Sequence, residues 1–134
     1  MHRRHSILGN MLRAGSRTVE AEAALRAATR ANPARVEAWY NLADLLDDQG
    51  RSEAAIECLR KALVVSPDYM DATFNLALLL QRTGSYAEAA DYWWQYLTSD
   101  SGSEWATRAR RSLKFCEIQI KSLTSSQRNS DQAA

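Results

Sequence analysis

The sequence has 134 residues, 46% of them hydrophobic and 25% charged, with a formal net charge of +1. Those values fit one folded domain with a continuous core and exclude a disordered or membrane-spanning chain. A charge near zero gives no electrostatic drive toward nucleic acid or an anionic bilayer as the main partner, and only five glycines and two prolines leave few turn signals for a sheet, so an all-α fold is expected.

At the start of the chain, Met1 to Ser6 is basic, but the apolar run Ile7 and Leu8 is cut by Gly9 and Asn10 and is too short for a secretory h-region. No stretch approaches the roughly 20 apolar residues that cross a bilayer, which makes the cytoplasm the expected compartment. His2 and His5 are three apart with no third ligand near in sequence, so neither a metal nor a cofactor is expected. Cys58 and Cys116 stand far apart without a CxxC spacing and read as buried free thiols.

The chain then matches itself at a spacing of 34 residues. In a first copy, from near His2, Leu8, Gly9 and Leu12 fall on Leu42, Ala43 and Leu46 of the second, and Ala21, Leu25, Ala28 and Pro33 fall on Ala55, Leu59, Ala62 and Pro67. The second copy, 36–69, has Trp39, Leu42 and Leu46 at helical spacing, an interruption at Gly50, and a second stripe of Ala55, Leu59, Ala62 and Leu63. The third, 70–102, repeats "YNLADLL" as "FNLALLL". Each copy is therefore expected to fold as helix, turn, helix, with Gly50 and Gly84 as left-handed C-caps, Pro33 and Pro67 closing second helices, and Ser85 with Glu88 as a capping box. Trp93 and Tyr96 stand where Leu59 and Ala62 do, and such bulk predicts altered packing in the third pair. Ser101 with Glu104 opens a last helix, about 103–123, whose stripe of Trp105, Ala109, Leu113, Cys116, Ile120 and Leu123 suits a cap over the exposed end of a stack. Residues 124–134 are polar and patternless, and a disordered tail is expected there.

The pattern of Trp39, Leu42, Ala43, Leu46, Ala55, Leu59, Ala62 and Pro67 resembles the tetratricopeptide repeat (TPR). The resemblance covers residues 2 to about 101. It implies a right-handed α-solenoid of three helix-turn-helix pairs (2–35, 36–69, 70–102) plus a C-terminal capping helix, together one domain over 1–123. In that family the first helix of each pair lines a concave groove that holds peptides, so the resemblance implies a non-enzymatic protein-interaction scaffold.

The faces opposite the core stripes give the candidate groove: Arg3, Ser6, Asn10 and Arg13, then Glu37, Tyr40, Asn41, Asp44 and Asp47, then Asp71, Phe74, Asn75, Leu78 and Gln81. The family's two-carboxylate clamp for acidic tails is missing, because Ser6, Phe74 and Leu78 replace its cations and Asp44 would repel a carboxylate. A partner segment carrying basic or aromatic residues is expected instead. Asn41 and Asn75 also read as inter-helix hydrogen-bond partners, and Tyr40 and Phe74 equally as packing residues. The alternative function is self-association through the third repeat and last helix, using Trp94, Trp105, Phe115 and Ile118 as a homodimer surface, as a dimerisation module serving a regulatory protein. Arg108, Arg110, Arg111 and Lys114 form a basic cluster whose default reading is a solvated face; nucleic acid is not an expected partner. No phosphate loop, GxSxG or HExxH occurs, which argues against an enzyme.

Overall fold

The computed structural model describes residues 8–133, with side chains over residues 17–131. Six helices follow one another: α1 (Leu8–Ala31), α2 (Val36–Asp48), α3 (Ser52–Val65), α4 (Met70–Arg82), α5 (Tyr86–Ser99) and α6 (Glu104–Ala133). Each packs on the next, and α6 also reaches α4 across α5. No strand occurs among the described residues, and the fold is an all-α solenoid.

Small side chains set the spacing between helices. Ala43 and Ala77 are 2% and 0% exposed, and Ala55, Ala62 and Ala89 are fully buried, so backbones approach closely at the columns that recur in the sequence. Leu42, Leu46, Leu59 and Leu76 fill the space between them; burying each such side chain is worth about 1.5–3 kcal/mol. One column was not anticipated: Ala38, Ala72 and Ala106, again 34 apart in sequence, are 5%, 0% and 0% exposed.

The turns inside the second and third repeats are Schellman motifs. Gly50 adopts φ 75° and Gly84 φ 88°. The Gly50 N–H donates to the Asp47 carbonyl and Arg51 N–H to that of Leu46, both at 2.9 Å, while Gly84 and Ser85 bond Gln81 and Leu80 in the same way. A side chain in the left-handed region is strained, and glycine avoids that cost.

The first repeat departs from the expected pair. Over the described residues α1 runs unbroken for 24 residues: Ser16, not glycine, stands in the column of Gly50, and Gly15 just before it lies inside the helix. The last helix departs in the opposite sense. It does not end at Leu123 but runs to Ala133, since no glycine or proline follows to terminate it. Thr124 bonds back to the Ile120 carbonyl (2.9 Å) and Gln127 to Asp131 (3.2 Å). The polar composition of this stretch shows in its burial instead, as every residue from Lys121 to Asp131 is exposed.

Both capping boxes are corrected. Ser85 makes no side-chain cap bond, and Glu88 pairs with Arg60 of the neighbouring repeat instead. The cap of α6 is Ser103, whose Oγ accepts from the Ala106 N–H at 3.1 Å and in turn donates to Asp100. Trp39 is only half-buried, donating its indole N–H to the Pro33 carbonyl at 2.8 Å. The bulk at Trp93 and Tyr96 is absorbed rather than expelled: the two are 0% and 7% exposed, edge-on to Phe74 at 4.8 and 5.2 Å between centroids.

Candidate functional site

The first helices α2 and α4 lie side by side and join through three contacts between predicted groove residues or their neighbours. Asn75 Nδ2 donates to the Tyr40 hydroxyl at 2.8 Å. Tyr40 stands edge-on to Tyr69 at 5.3 Å. Arg82 meets Asp47 at 2.8 Å, so this carboxylate already has a cation. Arg82 was not singled out in the sequence; the signal lay in its place 35 residues after Asp47, one repeat and one residue on, where adjacent first helices are level.

The same surface is acidic. Glu37, Asn41, Asp44 and Asp71 are exposed. Burial raises the Tyr40 hydroxyl above its usual range, and the nearby charges of Asp71 and Asp44 push it further, against the Asn75 hydrogen bond. Tyr69 is raised by burial and then by Asp71 and Glu37. Negative charge disfavours a phenolate, so these two rings register carboxylates from both helices converging on one place.

Two predicted groove residues face elsewhere. Phe74 is 7% exposed and sits among Trp93, Tyr96 and Trp105, with the Arg108 guanidinium 5.6 Å from its ring centre. Gln81 accepts the Trp93 indole N–H at 3.0 Å and the Cys116 thiol at 3.5 Å, tying α4, α5 and α6 together. Both are packing residues, because the helix beyond α4 covers the side on which they lie. Leu78 is half-buried. Arg3 and Ser6 lie outside the described residues, as do the side chains of Asn10 and Arg13.

On the proposed self-association surface, Trp94, Trp105, Phe115 and Ile118 are 56%, 53%, 43% and 54% exposed. Trp105 nevertheless meets Phe74 edge-on at 5.4 Å and lies under the Arg108 guanidinium, and Phe115 meets Tyr86 at 5.9 Å. His2 and His5 fall outside the described residues, and among those described no cluster of metal-ligating side chains occurs. Cys58 and Cys116 are buried free thiols whose pKa values burial pushes up, the reverse of nucleophile activation. No helix among the described residues is long and apolar enough to cross a membrane.

A tetratricopeptide-repeat profile matches residues 8–63 and 43–104. No curated protein matches the chain by sequence. Among solved structures, the chain is similar to the P58(IPK) TPR domain, with 25% identity, 94% of this chain and 35% of that one covered, and a TM-score of 0.79. MamA shares 21% identity over 78% of this chain and 55% of its own, at TM-score 0.70. The Yersinia enterocolitica type III secretion chaperone SycD, solved in complex with a peptide of the translocator YopD, shares 17% identity over 83% of this chain and 87% of its own, at TM-score 0.71. The chain thus spans just over half of the MamA structure and about a third of that of P58(IPK). Repeats of this kind form protein-interaction scaffolds and are typically non-catalytic. With its small-residue columns returning every 34 residues, its glycine-capped hairpins and a profile match across residues 8–104, the chain belongs to the tetratricopeptide-repeat family.

Proposed function

We propose that this protein is a non-enzymatic, cytoplasmic adaptor whose first-helix surface on α2 and α4 holds a segment of a partner protein bearing at least one lysine or arginine. The observation that carries the reading is the exposure of Glu37, Asp44 and Asp71 around the paired rings of Tyr40 and Tyr69, which stand edge-on at 5.3 Å where Asn75 ties α4 to α2. A cation entering there gains from three carboxylates contributed by two helices, and the half-buried tyrosines offer rigid apolar contact at little cost in side-chain entropy. Asp47 contributes less than the sequence suggests, because Arg82 already compensates it. The buried thiols suit a reducing compartment.

The experiment is a titration with fluorescein-labelled extended peptides, alternating Lys or Glu with small residues and carrying one aromatic. The Lys peptide is expected to bind more tightly, and Glu37→Lys with Asp71→Lys to abolish that preference. Equal affinity for both peptides, or a preference surviving the double charge reversal, refutes the assignment. Self-association through Trp94, Trp105, Phe115 and Ile118 is the weaker reading, because Trp105 and Phe115 already spend ring surface on Phe74 and Tyr86.

A further inference from the structure

The helix α6 continues the repeat register for one more half-unit. Ala106 falls in the column of Ala38 and Ala72 and is likewise buried, so α6 occupies the place of a first helix. In α2 the columns Leu42, Ala43 and Leu46, and in α4 Leu76, Ala77 and Leu80, are buried at 0–2% in helices that each pack against their own second helix. In α6 the same three columns carry Arg110, Arg111 and Lys114, all exposed. The place where a second helix would follow is therefore bounded by cations where earlier repeats present leucine and alanine.

The other boundary is α5. Trp94 stands in the column of Arg60, and Arg60 grips the second helix of the following repeat by donating both guanidinium NH2 groups to Glu88, one at 3.1 Å. Trp94 thus stands toward the corresponding open position, with more than half of its surface exposed. Arg110 is held by the Ser101 carbonyl and the Thr107 hydroxyl, at 3.0 and 3.3 Å, whereas Arg111 and Lys114 have no ion-pair partner among the described residues.

We propose that this position beside α5 and α6, which no described residue fills, is a second docking site, distinct from the first-helix surface, and that it takes an acidic amphipathic helix of a partner protein. Apolar side chains of that helix cover Trp94, and carboxylates on its flank meet Arg111 and Lys114. Charge selects the occupant. A second copy stacked head to tail would present α1, which carries four arginines against two glutamates, and Glu22 is already bound by Arg26 and Arg51. The existing junction between second helices uses the same chemistry, a carboxylate of the incoming helix on a cation of the stack.

The test uses the full chain and two fluorescein-labelled synthetic helices of identical leucine pattern, one with glutamates and one with lysines on the polar flank, followed by anisotropy. The Glu helix is expected to bind about tenfold tighter than the Lys helix. Arg111→Glu with Lys114→Glu should invert that order, Trp94→Ala should weaken the Glu helix by about tenfold or more, and Glu37→Lys with Asp71→Lys should leave it unchanged. These positions are exposed, and unaltered melting curves show that the variants fold. Equal affinity for the two helices overturns the proposal, as does an order that survives charge reversal. So does a monomer–dimer equilibrium abolished by Trp94→Ala, which would make a second copy the occupant, or an oligonucleotide that displaces the Glu helix more effectively than unlabelled Glu helix does.

Discussion

Gln81→Met separates packing from recognition at a residue that the sequence alone places in the groove. The Gln81 carbonyl oxygen accepts the indole N–H of Trp93 at 3.0 Å, and Trp93 is fully buried. Methionine keeps the length of the side chain and removes the acceptor, so the indole N–H loses its partner in a place that water does not reach. An orphaned buried donor costs about 1–3 kcal/mol, and the weaker thiol contact from Cys116 is lost with it. A central value of about 2 kcal/mol lowers the melting temperature by roughly 6–10 °C in a domain of this size. Urea unfolding should show the loss, while affinity for the Lys peptide stays the same. The decisive control is Trp93→Phe, which removes the indole donor: in that background Gln81→Met should cost less than about 0.5 kcal/mol, because only the weak Cys116 thiol donor is left to satisfy. An equal cost in both backgrounds would refute the role assigned to this hydrogen bond.

Gly84→Ala should destabilise by about 1 kcal/mol in urea titrations, since φ 88° forces a side chain into the left-handed region. Phe74→Ala should cost about 3–5 kcal/mol, as expected for a ring at the centre of an aromatic cluster; a loss below 1 kcal/mol with weakened peptide binding would return Phe74 to the groove. Trp39→Ala should cost less than that, about 2–3 kcal/mol, because the ring is only half-buried and the exposed Pro33 carbonyl it leaves behind can bond water instead. Glu88 is held below its ordinary value of 4.5 by the hydrogen bonds from Arg60. Its folded pKa is depressed, so its contribution is present above the unfolded value and disappears as pH falls through the folded one. The difference in urea midpoint between the wild type and Glu88→Gln should accordingly close as the pH is taken below the ordinary carboxylate range, and a difference independent of pH would show that the ion pair is not its source.

The repeat length, the helix-turn-helix division of the second and third repeats, their glycine caps and the leucine and alanine columns were legible in the sequence. Each rests on local chemistry: a left-handed turn requires glycine whatever surrounds it, and a buried helix stripe shows its period in the order of the residues. The Ala38, Ala72 and Ala106 column does not stand out there, because alanine is common on exposed helix faces too.

Which face of each helix is covered could be decided only by the tertiary structure. Phe74 and Gln81 stand on the same side of their helix pattern as Asp71 and Leu78, yet α6 crosses over that side, burying Phe74 and tying up the half-buried Gln81. Ser85 and Glu88 have the spacing of a cap, but Arg60 from the neighbouring repeat offers Glu88 a full guanidinium in place of one backbone N–H. The short sequence periodicities record what each helix does by itself, whereas competition among distant partners for one side chain is settled by which of them the fold brings within hydrogen-bonding distance.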